Sequence, residues 1–139
     1  MSEPALTIAE LTEFMAQEFP QVAPDVVIEA IGPKTATVRL LCQFKHLRPG
    51  GTVSGPSMAL LADLAAYTAI LGAVGKQAMA VTTNLSLNFL RKPAEVDLLC
   101  DARLLKLGKR LAVGDAVLYS EGGDPNEPVA HATFTYALP

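Results

Sequence analysis

Between Arg48 and Lys76 the chain carries a single charge, Asp63. It stands inside the apolar run Met58-Ala59-Leu60-Leu61-Ala62-Asp63-Leu64-Ala65-Ala66-Tyr67-Thr68-Ala69-Ile70-Leu71. Ser54 suits an N-cap ahead of this run, and Pro56 suits a first helical turn, where a missing N–H matters least. The spacing predicts a helix from there to Gly72 or Gly75. That helix has no sustained polar face, and a helix apolar all round has to be enclosed by protein or lipid. The rest of the chain must therefore supply a wrapper.

The flanking segments read as that wrapper. Thr7 to Phe19 is predicted as an amphipathic helix, with Ile8, Leu11, Met15 and Phe19 on one face, Glu10 placed for a capping box with Thr7, and Pro20 as the stop. Asp25–Ile31 and Lys34–Cys42, turned by Gly32-Pro33, suggest a hairpin. Gln43–Val53 reads as a loop through Pro49, Gly50 and Gly51. Four strand-like runs follow the central helix: Met79–Leu90, Val96–Leu107, Leu111–Ser120 and Val129–Leu138, with Gly108-Lys109 as a hairpin turn. In the first run, alternation puts Val81, Thr83, Leu85, Leu87 and Phe89 on one face and Thr82, Asn84, Ser86 and Asn88 on the other. Without crossover helices between the last four runs, parallel pairing is excluded in practice. The expected class is α+β, one curved antiparallel sheet wrapped around a long central helix. The chain is expected to form a single domain over residues 1–139, with residues 1–20 as an N-terminal helix and 21–139 as the core.

Composition narrows the function. A net charge of −3 argues against nucleic-acid binding. The central run is long enough to span a bilayer, but Asp63 near its middle would cost roughly 2.5–3.5 kcal/mol; a membrane role is not expected. Met1-Ser2-Glu3-Pro4 offers no export signal, so cytoplasm is the expected location. Cys42 and Cys100 are expected to be buried free thiols. No His, Cys or carboxylate cluster has metal spacing, and no metal or separate cofactor is expected. His46 in the loop and His131 in a strand are read as structural. Asp63 is different. A lone carboxylate in apolar surroundings costs free energy unless it is paired, neutral or open to a crevice, so its chemistry has to offset that cost.

His46-Leu47-Arg48-Pro49-Gly50-Gly51-Thr52-Val53-Ser54-Gly55-Pro56, continued through Leu61-Ala62-Asp63, resembles the hotdog-fold acyl-CoA thioesterases, particularly the phenylacetate-degradation type. Asn84 to Ala94 is similar to that family's next strand and exit loop, and Leu107 to Ala112 resembles its later hairpin. The resemblance spans roughly residues 25–138. It implies a hotdog fold, an acyl-CoA substrate, an active site between two subunits, Asp63 as general base or nucleophile, and the Gly55 amide polarising the thioester carbonyl. The physical logic stands beside it: a helix N-terminus offers unpaired N–H groups that stabilise an oxyanion, and Asp63 lies about 12 Å further along the axis.

The chain departs from the family pattern where His-Gly-Gly becomes Ser54-Gly55-Pro56 and where Arg48 replaces an amide. Arg48 could pair with Asp63, or bind an acidic acyl chain or phosphate. The remaining candidate substrate contacts are Ser54, Tyr67, Thr68 and Asn84. Arg91 and Lys92, with Lys106, Lys109 and Arg110, are candidates for the coenzyme A phosphates. A dimer, or a tetramer of two dimers, would hide open sheet edges. The alternatives are a hotdog hydratase or dehydratase, a non-hydrolytic acyl-CoA-binding protein, and a ligand-free dimer module.

Overall fold

A computed structural model of the chain describes residues 4–139. Met1–Glu3, where the reading of the N-terminus begins, lie outside the described residues. Helix α1 (Ile8–Glu18) leads into β1 (Val26–Gly32) and β2 (Thr35–Leu40). A small ribbon follows, β3 (Leu47–Arg48) with β4 (Thr52–Val53), then α2 (Gly55–Val74) and the strands β5 (Val81–Phe89), β6 (Leu98–Leu107), β7 (Leu111–Ser120) and β8 (Ala130–Ala137). The main sheet is antiparallel throughout, in the order β1-β2-β6-β7-β8-β5, so β1 and β5 form its two edges. This is the hotdog architecture expected from the sequence, a curved sheet around one central helix.

The enclosure of α2 is nearly complete. Leu61, Ala62, Ala65, Ala66, Ile70 and Leu71 have no measurable exposure. The most apolar window of the helix has a mean hydropathy of 1.7, long and greasy enough for a membrane by composition, yet 72% of it is buried inside the protein. The inward positions of the sheet alternate large and small, with Val38, Leu40, Leu98 and Leu118 beside Ala36, Ala102, Ala116 and Ala132, all buried. Fully burying one such leucine contributes about 1.5–3 kcal/mol. α1 closes the C-terminal half of α2: Ala5 donates its N–H to the Gly72 carbonyl, and a Cβ added at Gly72 would touch Ile31 and Leu11. The predicted capping box is present, with Thr7 Oγ1 accepting from Glu10 N–H and Glu10 Oε1 accepting from Thr7 N–H.

Curvature comes from three register breaks, at Glu29 in β1, Thr83 in β5 and Leu105 in β6. Each inserts one residue on a single strand, which bends it. The break at Thr83 corrects the alternation read from the sequence. Thr82 pairs with Tyr136, Leu85 with Phe134 and Leu87 with Ala132, and all three partners are buried. Thr82 therefore shares the inner face with Leu85 and Leu87, while Asn84, Ser86 and Asn88 stay outside. The two thiols are free, but Cys42, just past β2, is half-buried and only Cys100 is fully enclosed.

Candidate active site

The ribbon β3–β4 and the loop before it deliver the start of α2. Gly50 and Gly51 turn the ribbon at positive φ, 99° and 77°, a conformation glycine adopts without a Cβ penalty. His46 is buried and holds this segment. Its Nδ1 accepts the Gln43 N–H at 3.1 Å, and its carbonyl accepts the Ser54 N–H at 2.8 Å. Ser54 caps α2 through its side chain: Oγ accepts the Ser57 N–H at 3.3 Å and donates to Ser57 Oγ at 3.0 Å. The Met58 N–H goes to the Ser54 carbonyl. Pro56 has no N–H. Of the donors in the first turn, only the Gly55 N–H has no acceptor among the described residues. The proline that departs from the family motif thus leaves one backbone donor at the helix tip, where the helix dipole is positive.

Two turns on, Asp63 is half-buried against β5 and β8. Thr82 Oγ1 and Tyr136 Oη both donate to Asp63 Oδ1, each at 2.6 Å, and Tyr136 Oη also lies 3.0 Å from the Asp63 carbonyl. Burial pushes the Tyr136 hydroxyl far above its ordinary pKa, and the Asp63 charge pushes it further, so it remains a donor. No donor among the described residues reaches Asp63 Oδ2. The carboxylate opens on a crevice of about 280 Å³ whose wall includes Leu60, Leu64, Tyr67 and Ala80. Tyr67 stacks on Tyr136 with ring centroids 6.2 Å apart and donates its hydroxyl to the Ala78 carbonyl at 3.2 Å. An anchored carboxylate with one open oxygen beside an apolar crevice is suited to hold and deprotonate a water molecule.

The other candidates fall in different places. Arg48 is exposed on β3 and makes no ion pair with Asp63, so the pairing the sequence allowed does not form. Thr68, expected near the substrate, is instead 1% exposed and donates back to the Leu64 carbonyl at 2.7 Å. One residue past Tyr67, the helix has already turned it into the core. Asn84 is exposed on the outer face of β5, away from Asp63. Arg91 and Lys92 are exposed just past β5, where Arg91 Nη1 donates to the Pro128 carbonyl at 2.8 Å. Phe89, at the end of β5, lies over Gly55, which puts these two cations on the same side as the free amide. Lys106, Lys109 and Arg110 sit at the β6–β7 turn, beside the opposite end of β5, because Leu111, Ala137 and Val81 are in register. His131 faces outward and bonds Asp115 at 3.0 Å. Neither histidine lines the crevice. Among the described residues no three His, Cys, Asp or Glu side chains gather as a metal site.

Sequence reasoning missed Thr82 and Tyr136. The bulge at Thr83 hid the first by reversing its apparent face. The second lies 73 residues from Asp63, a contact only the sheet order reveals.

Residues 50–126, just over half of the chain, match the family model of the thioesterase superfamily. Among solved structures, the chain is similar to a candidate thioesterase from Silicibacter sp. TM1040. Identity is 49%, the match covers 99% of this chain and 94% of that one, and the TM-score is 0.90. It shares its fold with a mutant of the phenylacetic acid degradation protein PaaI from Thermus thermophilus (23% identity, 85% of this chain and 97% of that one, TM-score 0.71). It also shares its fold with a Streptococcus mutans protein bound to acetyl-CoA (23% identity, 81% and 86%, TM-score 0.69). No curated protein sequence matches significantly.

Proposed function

The chain belongs to the thioesterase superfamily, and from that premise we propose that it hydrolyses an acyl-CoA thioester to a free acid and coenzyme A. The observation that carries the residue-level reading is the clamp on Asp63, which lines the crevice with one oxygen fixed by Thr82 and Tyr136 and the other without a donor among the described residues. Asp63 acts as general base. It takes a proton from water as the water attacks the thioester carbon, and coenzyme A leaves as the thiolate. The carbonyl oxygen gains charge in that step, and the unpaired Gly55 N–H supplies the compensating donor.

Along one helix these two groups are about 12 Å apart, too far to serve a single carbonyl. A second copy resolves this. β5 is an open edge, and Met79, Val81, Phe89 and Leu90 on and beside it are exposed. Pairing β5 with its counterpart covers that edge and sets Gly55 of one subunit opposite Asp63 of the other. A tetramer of two such dimers follows the same closed symmetry. Arg91 and Lys92, near the Gly55 end, are the candidates for the coenzyme A phosphates. The hydratase reading lacks the histidine it needs in the crevice.

The test is release of free thiol from a panel of acyl-CoAs by the wild-type protein and by Asp63→Asn. Wild-type turnover with a large loss in the variant supports the reading; equal rates in both proteins remove Asp63 from it. Single turnover in heavy-oxygen water tests for a covalent route. A general base puts the label only in the product acid, whereas label in Asp63 requires an acyl–aspartyl anhydride that water splits at the aspartyl carbon.

A further inference from the structure

We infer that Phe19, carried by the N-terminal helix, closes the far end of the Asp63 crevice and so sets the length of acyl group the site accepts. This rests on the crevice being the acyl site. Phe19 lies outside the residues that match the superfamily model, yet it lines the same crevice as Asp63 and Thr82. The wall runs through three contacts: Asp63 to Tyr136 by hydrogen bond, Tyr136 to Tyr67 by stacking, and Tyr67 to Phe19 edge-on with centroids 6.0 Å apart. Phe19 stands at the end of that series of contacts, joined to the carboxylate only through Tyr67 and Tyr136.

Its exposure and its anchoring both fit a stopper. Phe14 and Phe134 are core phenyl rings and are buried, whereas Phe19 keeps part of its surface open. Its backbone is pinned. Phe19 donates its N–H to the Met15 carbonyl at 2.7 Å, and its own carbonyl accepts from Val22 at 3.1 Å and Ala23 at 2.9 Å. Pro20 ends α1 at this point, which fixes where the ring emerges. On either side of Phe19 in sequence, Met15, Ala16 and Ala23 line a second apolar groove of about 320 Å³ between α1 and β1. On this inference, removing the phenyl ring frees apolar space in the crevice for a longer acyl chain. Each additional methylene it buries is worth roughly fourfold in affinity.

The experiment measures binding of non-hydrolysable S-alkyl-CoA thioethers, butyl to dodecyl, by calorimetry on the full chain. It uses wild type, Phe19→Ala, Phe19→Leu and Phe19→Trp, each checked for folding by circular dichroism. In Phe19→Ala the dodecyl analogue should gain at least tenfold over the butyl analogue relative to wild type. Phe19→Leu should move the ratio the same way by less, and Phe19→Trp should move it toward the short chain. An unchanged ratio across the folded variants overturns the inference, as does failure of every analogue to bind. Hydrolysis is scored separately: a wild type that binds the analogues and splits no acyl-CoA removes the proposed reaction and leaves the length ratio readable.

Discussion

The protein contains the same three side chains twice, once inside its sheet and once outside. Inside, Asp63 Oδ1 accepts from Thr82 and Tyr136 at 2.6 Å each. Outside, Asp101 Oδ1 accepts from Thr37 at 2.9 Å and Tyr119 at 3.0 Å. Both carboxylates are half-buried. Asp101 and Thr37 even line the larger hollow, about 420 Å³ against 280 Å³. What differs is the surroundings. The outer hollow is a sheet surface that Asp101 shares with the charged Arg103–Asp115 pair, and Arg39 on the neighbouring β2 is tied to Glu29, Asp97 and Glu121. The inner crevice has an aromatic and aliphatic wall, no cation, and an open sheet edge beside it. Burial, then Asp101, pushes Tyr119 up to about 12, while Tyr136 is pushed beyond that range. Two hydroxyls on a carboxylate make a clamp. On the proposed reading, an apolar wall and a free helix-tip amide make the clamp a site.

The most direct way to break this contrast is to remove the two acids in parallel. Asp63→Asn should lower kcat by roughly 10²–10⁴-fold, the span of a lost general base. Asp101→Asn should leave kcat/KM within about twofold. A large loss in the outer variant, or none in the inner one, would erase the distinction.

Adjacent residues of β7 sharpen it next, because Gly114 faces in and Asp115 faces out. A Cβ on Gly114 would stand 2.1 Å from the Arg103 carbonyl and 2.6 Å from Phe134 Cζ. Phe134 in turn packs edge-on against Tyr136 at 6.3 Å. Gly114→Ala should therefore destabilise the fold by about 2–3 kcal/mol, seen as a lower urea midpoint. An unchanged midpoint would mean that the inner face yields more readily than its packing implies.

A finer comparison takes the tyrosines. Tyr136→Phe keeps the ring in the core and deletes one of the two donors to Asp63. A hydrogen bond to a charged group is worth about 1.5–3 kcal/mol, so kcat should fall about tenfold or more while KM changes little. Tyr119→Phe should be silent in the same assay. A Tyr136→Phe enzyme at full rate would leave Thr82 as a sufficient clamp.

Much of this was legible in the sequence, and the remainder was hidden for identifiable reasons. The all-apolar helix required a wrapper, and the strand runs from Val96 onward match β6, β7 and β8 to within two residues at each end. The Ser54 cap and the Thr7–Glu10 box follow from short-range hydrogen bonding and were readable in place. Asp63 stood out because a lone carboxylate in an apolar run is a local anomaly, and Gly55 through the family resemblance and its place at a helix start. Thr82 did not, since a single inserted residue at Thr83 inverts the two-residue period on which face assignment depends. Tyr136 did not, since nothing local ties β8 to α2. Thr68 was misplaced for a simpler reason: adjacent helical residues point about 100° apart, so Tyr67 can line the crevice while Thr68 enters the core.

The smallest effect tests the outer face through pH. The largest single influence on Asp115 is partial burial, which raises its pKa. The hydrogen bonds and charges of Arg103 and His131 together outweigh it and hold the group below its ordinary value. A carboxylate depressed in the folded state contributes stability that is fully present above its unfolded value of about 4 and is lost as pH falls through the folded value. Arg103 is largely exposed, with Nε 2.7 Å from Asp115 Oδ1, so screening limits the contribution to under about 1 kcal/mol. Asp115→Asn should then be slightly less stable than wild type in urea at pH 6 to 7, and the two proteins should converge below about pH 4. A gap that persists in acid would assign the stabilisation to packing and not to charge. The outer face would then differ from the inner one in shape alone.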